Sequence, residues 1–491
     1  MTLDHETCYR ALAARDVRFD GLFVVGVTST GIYCRPVCTA RTPGRERCRF
    51  FEFAATAERQ GFRPCLRCRP EQAPGQATVD AVASLARRAA SRIEGGALAE
   101  GAPIEQLAVD LGISSRQLRR AVRQEFGVSP IELAQTNRLL LAKQLLAESE
   151  LPMIDVAQAS GFASVRRFNA LFRQRYGISP TQVRRQRAIR DTADAFHLTL
   201  AYRPPLAWHE LLRFLAARAT VGVERVTTTG YARTVAIAGQ VGWLQVEPAP
   251  RGHALQVEVS TSLLGVLPAV LAKLRHLFDL QARPEMIEEH LRYDGLLARS
   301  MSRHPGLRVP GAFGGFELAV RAILGQQVSV PAATTLAGRL ANRFGDSVTT
   351  PLSGLNRLTL EPAQLTEVKL ADLVGLGILR SRAVSIRELA RACAAGDLKL
   401  EPGENPEAVM ARLTEMPGIG EWTAQYIAMR ALQWPDAFPA GDLGLLRGTG
   451  ETTAARLRRR AEGWRPWRAY AAMLVWTLGG TEQQHSTRRQ R

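Results

Sequence analysis

Four cysteines fall into two close pairs, Cys34/Cys38 in GIYCRPVC and Cys65/Cys68 in FRPCLRC. Two short clips separated by a loop suit a tetrahedral thiolate zinc site, because each clip fixes two corners and the loop closes the other two. Against the plainer alternative of four independently packed thiols, this pairing favours zinc. Cys8, Cys48 and Cys393 stand outside it and read as packing residues. Arginines crowd the clips, among them Arg35, Arg41, Arg47, Arg63 and Arg67, so the metal centre is expected to face phosphate. A second chemical candidate lies far along the chain. MPGIGEWTAQYIAMR (416–430) puts Pro417, Gly418 and Gly420 in a tight turn between two helices. The amides of such a turn and of the next helix N-terminus can grip a phosphate without reading sequence. WPDAFPAGDLGLLRG follows, with Asp442 at the start of a further helix; the bland role for that acid is a helix N-cap.

These groups need elements to hold them. Two similar stretches, 104–130 and 153–180, each read as a short apolar-periodic helix, a glycine (Gly112 or Gly161) and an arginine-rich second helix, closing on FGVSP and YGISP. Glycine at the turn lets two helices cross sharply, so that the second can enter a major groove. The repetition makes this a double helix-turn-helix, linked by one helix over 131–149. From His197 the texture changes to alternating apolar segments such as LTLAYRP, RTVAIAGQ and HALQVEVS, which read as strands. After HPGLRVPGAFGG (304–315) the text is helical again. Soft boundaries fall at 70–78 and 186–195.

Composition bounds the function. A chain of 491 residues suggests about three or four domains. With 46% hydrophobic and 22% charged residues it is not a disordered chain. Lys and Arg number 64 against 46 Asp and Glu, a formal charge of +18 spread along the sequence, which points to a polyanion. The N-terminus lacks a signal-peptide pattern, and no run of about 18 apolar residues spans a membrane. A reducing cytoplasm is expected, with no membrane partner.

The motifs carry three resemblances. Residues 5–72, through TGIYCRPVC and GFRPCLRC, resemble the N-terminal domain of the Ada family, the methyl-phosphotriester acceptors of bacterial adaptive-response systems. This implies that Cys34 is the acceptor thiolate, with Cys38, Cys65 and Cys68 as the remaining zinc ligands and Arg35 beside the DNA. Methylating one thiolate removes a negative charge near phosphates, so tighter DNA binding after methylation is expected. The repeated helix pairs resemble the AraC-type transcription-factor domain. Its implied readers are Ser115, Arg116, Arg119 and Arg120 in the first unit and Ser164, Arg166, Arg167 and Asn169 in the second, since Arg suits guanine edges and Asn adenine. RPPLAWHELLRFLAARA, RHLFDLQARP, FELAVRAILGQQVSV and WRPWRAYAAMLVW, together with the hairpin, resemble the AlkA family of alkyl-base glycosylases.

That last resemblance makes Asp442 the catalytic carboxylate and Trp422, Tyr426 and Trp476 the wall of a pocket for a flipped cationic base. Trp422 stands where lyase-type relatives carry a lysine, and no four-cysteine cluster follows the hairpin, so a monofunctional hydrolase without an iron–sulfur centre is implied. A monovalent cation on hairpin carbonyls near Thr414, Met416 and Ile419 is a further implication. Two departures stand out: Gln327 occupies the aliphatic DNA wedge position, and Gly441 replaces a second aspartate. The Ada-type C-terminal transferase motif P-C-H-R-V does not occur, so direct reversal of alkylated guanine is not expected. The expected fold is multidomain and mostly α with α+β parts: a small zinc α/β domain (1–75), a double helix-turn-helix (78–187), an antiparallel-sheet subdomain (196–300) and a helix-hairpin-helix glycosylase domain (301–485). The expected protein is a monomer that accepts methyl groups from DNA, activates repair genes with RNA polymerase, and excises alkylated purines from double-stranded DNA. The rival is a regulator whose glycosylase half only binds DNA. A zinc-ribbon nuclease ranks last, because no carboxylate cluster for paired metals is present.

Overall fold

A computed structural model describes residues 4–16, 19–70, 84–99, 101–184 and 194–488. The expected boundaries at 70–78 and 186–195 lie almost wholly outside these. The chain divides into two compact units, 1–204 with 235–275 and 205–234 with 276–491.

The first unit opens on helix His5–Ala14, which Asp4 caps by accepting the Thr7 N–H. A small four-stranded sheet follows. Strand Val24–Val27 pairs antiparallel with both Ile32–Cys34 and Cys48–Phe51, and Ile32–Cys34 pairs parallel with Arg63–Pro64. The register Tyr33↔Pro64 is what sets the two cysteine clips side by side, and the Cys65 N–H donates to the Tyr33 carbonyl at 3.0 Å.

The helical stretch contains Ile104–Asp110, Ser115–Phe126, Pro130–Glu148, Met153–Ala159, Val165–Tyr176 and Pro180–Val183. Gly112 and Gly161 take φ of +69° and +80° at the two turns, the left-handed region a side chain disfavours. The repeat reaches the core as well. Ser115–Phe126 buries Leu118, Val122 and Phe126, and Val165–Tyr176 buries Phe168, Phe172 and Tyr176, the same four-residue stripe. Each of these large chains contributes about 1.5–3 kcal/mol when taken out of water. Their opposite faces carry the arginines.

Buried polar groups bind this unit together. Glu58, 2% exposed, accepts hydrogen bonds from Tyr33 Oη and Thr136 Oγ1 at 3.1 Å each, and Arg175 Nε lies 3.6 Å away. Lys143, 1% exposed on the linking helix, donates to the Cys65 carbonyl at 3.1 Å. Glu148 at the end of that helix accepts the Thr199 N–H at 2.8 Å and pairs with Arg69 at 2.9 Å. Thr199 lies on strand Ala195–Ala201, which pairs antiparallel with Ala254–Ser260; that strand pairs antiparallel with Gln240–Pro248.

In the second unit, helix Trp208–Ala216 precedes strand Glu224–Val226, which pairs antiparallel with Tyr231–Ile237. Helices then dominate. Gly315–Leu324 is the most apolar of those that position the site, with Phe316, Leu318–Val320 and Ala322–Leu324 buried. Pro406–Thr414 and Glu421–Arg430 form the two arms of the hairpin, and Leu443–Thr449 and Arg468–Arg488 follow it.

Replacing Glu58 with Ala leaves Arg175, Tyr33 and Thr136 without their common acceptor. A loss of about 3–5 kcal/mol is expected in denaturant unfolding. A loss below about 1 kcal/mol would mean that water already reaches this carboxylate.

Candidate functional site

Cys34, Cys38, Cys65 and Cys68 bring their sulfur atoms within 4.8 Å of one another, the first three buried and Cys68 half-buried. Zinc–sulfur bonds of about 2.3 Å give a tetrahedron with edges of about 3.8 Å, and this all-sulfur donor set matches that metal. A backbone amide lies on one of the four sulfurs: the Arg35 N–H donates to Cys68 Sγ at 3.3 Å. Thiols outside the cluster behave differently: burial pushes Cys8 up to about 11 and Cys393 up to about 12.

Arg35 is spent inside this domain. Its Nε donates to Asp20 at 2.9 Å, its second terminal nitrogen pairs with the same carboxylate, and Nη1 donates to the Cys68 carbonyl at 3.1 Å. It braces the second clip. The helix-turn-helix candidates are placed otherwise. Arg116, Arg119, Arg120, Arg166 and Arg167 are all exposed and Asn169 is half-buried. Arg119 lies 3.6 Å from Glu105, an exposed pair of little energetic weight. The Ser164 hydroxyl accepts the Arg167 N–H and so caps the second recognition helix.

The hairpin turns at Gly418, whose φ of +78° and the 2.5 Å that would separate a Cβ from Ser385 Oγ both require glycine. Gly420 is the N-cap of Glu421–Arg430. One turn into that helix Trp422 and Tyr426 stack, with ring centroids 5.3 Å apart and planes within 7°. Trp476 stands 6.5 Å from Tyr426. Against these rings lies Asp442. Its Oδ2 accepts Trp422 Nε1–H at 3.0 Å, and its Oδ1 accepts Trp476 Nε1–H at 2.9 Å and the Leu445 N–H at 3.0 Å. The acid is therefore the N-cap of Leu443–Thr449 and a member of the aromatic cluster at once. Gln327 is exposed, and a Cβ on Gly441 would meet open space.

Arginines that sequence reading missed stand behind the rings. Arg430 Nη1 donates to Tyr426 Oη at 2.9 Å, while its other nitrogens donate to the carbonyls of Pro310 and Gly311 at 2.8 Å each. The Arg218 guanidinium lies 3.7 Å from the Phe214 ring centroid. Burial raises the Tyr426 phenol, but Arg430 and Arg218 outweigh it and bring the group down to about 8. The one available signal was spacing, since Tyr426 and Arg430 share a helix face at i,i+4.

Four family models match the chain: the metal binding domain of Ada over 7–71, a helix-turn-helix domain over 107–186, the AlkA N-terminal domain over 197–314, and the HhH-GPD superfamily base excision DNA repair protein over 320–462. The probable bifunctional transcriptional activator/DNA repair enzyme AlkA of Mycobacterium tuberculosis is 38% identical over 484 residues, 96% of either chain. DNA-3-methyladenine glycosylase 2 of Escherichia coli is 37% identical over 282 residues, 57% of this chain and 97% of its own. The solved 3-methyladenine DNA-glycosylase of Archaeoglobus fulgidus shares its fold with this chain at a TM-score of 0.51 and 23% identity, covering 57% of this chain and 98% of its own. The sulfur cluster and the Ada metal-binding match together make 34–68 a site for one zinc.

The depressed Tyr426 phenol predicts a tyrosinate absorbance step near pH 8 that Tyr426→Phe removes, leaving ordinary tyrosines to titrate around 10. The folded-state value lies below the unfolded one, so the associated stability is complete above pH 10 and is lost as pH falls through 8. A difference titration without a step below pH 9 would contradict the arginine cluster.

Proposed function

Because the chain belongs to the family of AlkA-type bifunctional transcriptional activator/DNA repair enzymes, we propose that it accepts methyl groups from DNA methylphosphotriesters on Cys34, activates repair genes, and hydrolyses the glycosidic bond of alkylated purines such as 3-methyladenine. The observation that carries this reading is Asp442, fixed by Trp422 and Trp476 beside a stacked aromatic wall and an intact hairpin.

Zinc, when bound, keeps the four sulfurs as thiolates at neutral pH. Cys34 attacks the methyl carbon; an S–C bond forms, the C–O bond breaks, and the phosphodiester anion leaves with the electron pair. A thioether has no easy route back, so the transfer is stoichiometric. It also removes one negative charge from a surface that meets phosphates. At 4 Å and an effective dielectric of 20 each charge pair is worth about 4 kcal/mol, enough to tighten operator binding. The exposed arginines of the two recognition helices supply base and phosphate contacts.

In the glycosylase half, Pro417, Gly418 and Gly420 hold the backbone and Gln327 fills the gap left by the everted nucleotide. The cationic base stacks on Trp422, Tyr426 and Trp476. As the bond from sugar to base breaks, positive charge develops on the sugar, and the Asp442 carboxylate stabilises it while water attacks the anomeric carbon. Trp422 occupies the place a Schiff-base lysine would need, which supports a monofunctional hydrolase. The chain works as a monomer, engages RNA polymerase at promoters, and carries any monovalent cation on hairpin carbonyls.

Asp442→Asn is expected to lower single-turnover release of 3-methyladenine from methylated duplex by about 10²-fold or more, measured as free base by chromatography. Equal and negligible release from both proteins would favour a regulator with an inert glycosylase half, the reading that Gln327 and Gly441 favour. Methylating treatment should raise operator affinity for the wild type and leave Cys34→Ser unchanged; an equal gain in both would remove Cys34 as the acceptor.

A further inference from the structure

Gln327 takes a φ of +53°, in the left-handed region where a glutamine stays only if its surroundings fix it. The fixing atoms lie next to it. Gln326 Nε2 donates to the Gly418 carbonyl at 2.8 Å and to Thr423 Oγ1 at 3.0 Å. The Gln326 carbonyl in turn accepts from the guanidinium of Arg382, which is 7% exposed. On the far side, Ser329 caps helix Val330–Phe344 through the Ala332 N–H. The hairpin end is equally constrained: the Pro417 carbonyl takes the Ser385 hydroxyl at 2.6 Å, and Thr423 is buried on the second hairpin helix.

One side-chain amide therefore joins two turns far apart in sequence, one placed to hold the phosphate backbone and one placed to enter the base stack. We propose that Gln326 is a positioning residue that couples the two, so that seating the hairpin on the backbone sets the depth to which Gln327 enters the duplex. This rests on the glycosylase reading above and on Gln327 as the wedge. The coupling needs both donors of the one amide, because the Gly418 carbonyl fixes height relative to the turn and Thr423 fixes it relative to the helix. Alanine at 326 removes both bonds but leaves the Gly418 turn, its glycines and the Ser385 bond in place. Wedge depth should loosen while the backbone grip persists.

The test uses the full-length protein and a duplex carrying a tetrahydrofuran abasic analogue opposite 2-aminopurine, whose fluorescence rises when the wedge unstacks it. Q326A is expected to lose about fivefold or more of the fluorescence gain, in keeping with two lost hydrogen bonds, and to slow 3-methyladenine release in step. Its affinity for undamaged duplex and the salt dependence of that affinity should stay within about twofold of wild type, which a merely structural weakening of the hairpin would not allow. Q327A should lose the same signal, and the double variant should lose no more than either single one. If Q326A proves unstable, T423V, which deletes one acceptor and keeps the shape, should give a smaller loss of the same kind. The proposal is overturned if Q326A or T423V keeps the full fluorescence gain, if undamaged duplex is lost equally, or if the two glutamine effects multiply. A Q327A protein with unchanged fluorescence would instead refute the wedge, and wild-type release by Asp442→Asn would refute the glycosylase reading.

Discussion

The carboxylate of Asp442 is held by two indole N–H groups and one backbone amide, and among the described residues no arginine or lysine forms an ion pair with it. Neutral donors fix its direction, while the Arg218 guanidinium acts on it electrostatically without a hydrogen bond or ion pair. A carboxylate locked to a guanidinium would be equally rigid but would have little field left to offer a cationic transition state. The rest of the second unit follows from this constraint. Two tryptophans must converge on one acid from different helices, the hairpin must deliver the first of them, and the arginines must stay behind the rings. Arg430 does so by spending its donors on Tyr426 and two carbonyls.

The metal centre solves the converse problem. There four sulfurs concentrate negative charge, and two of the nearby cations are engaged in scaffolding: Arg35 by Asp20 and the Cys68 carbonyl, Lys143 by the Cys65 carbonyl. These bonds tie the second clip to its own domain and to the linking helix. Glu58 extends this connection to Arg175 on the second recognition helix.

Much of this was legible in the sequence wherever the determinant is local. Cysteine spacing, glycine at the helix turns, the repeated apolar stripes and the proline–glycine hairpin each act over a few residues, and each appears where expected. The linking helix, expected over 131–149, runs Pro130–Glu148. What remained hidden is set by tertiary pairing. Nothing near Asp442 announces that Trp422 and Trp476 will share its oxygens, and N-cap and site acid looked like alternatives when the structure makes them compatible. Gln326 and Gly418 are joined only by the fold. Arg35 shows the same limit, since nothing near it in sequence announces the pairing with Asp20, which the fold brings to it from another loop.

The most direct measurement of the whole account is a count of label. One preparation of the full chain, incubated with duplex methylated by a radiolabelled agent, should take up covalent label to one equivalent on the peptide containing Cys34 and then stop, while free labelled purines continue to accumulate well past one per chain. Covalent uptake without continued base release, base release without covalent uptake, or label on a different peptide would contradict two independent chemistries on this polypeptide.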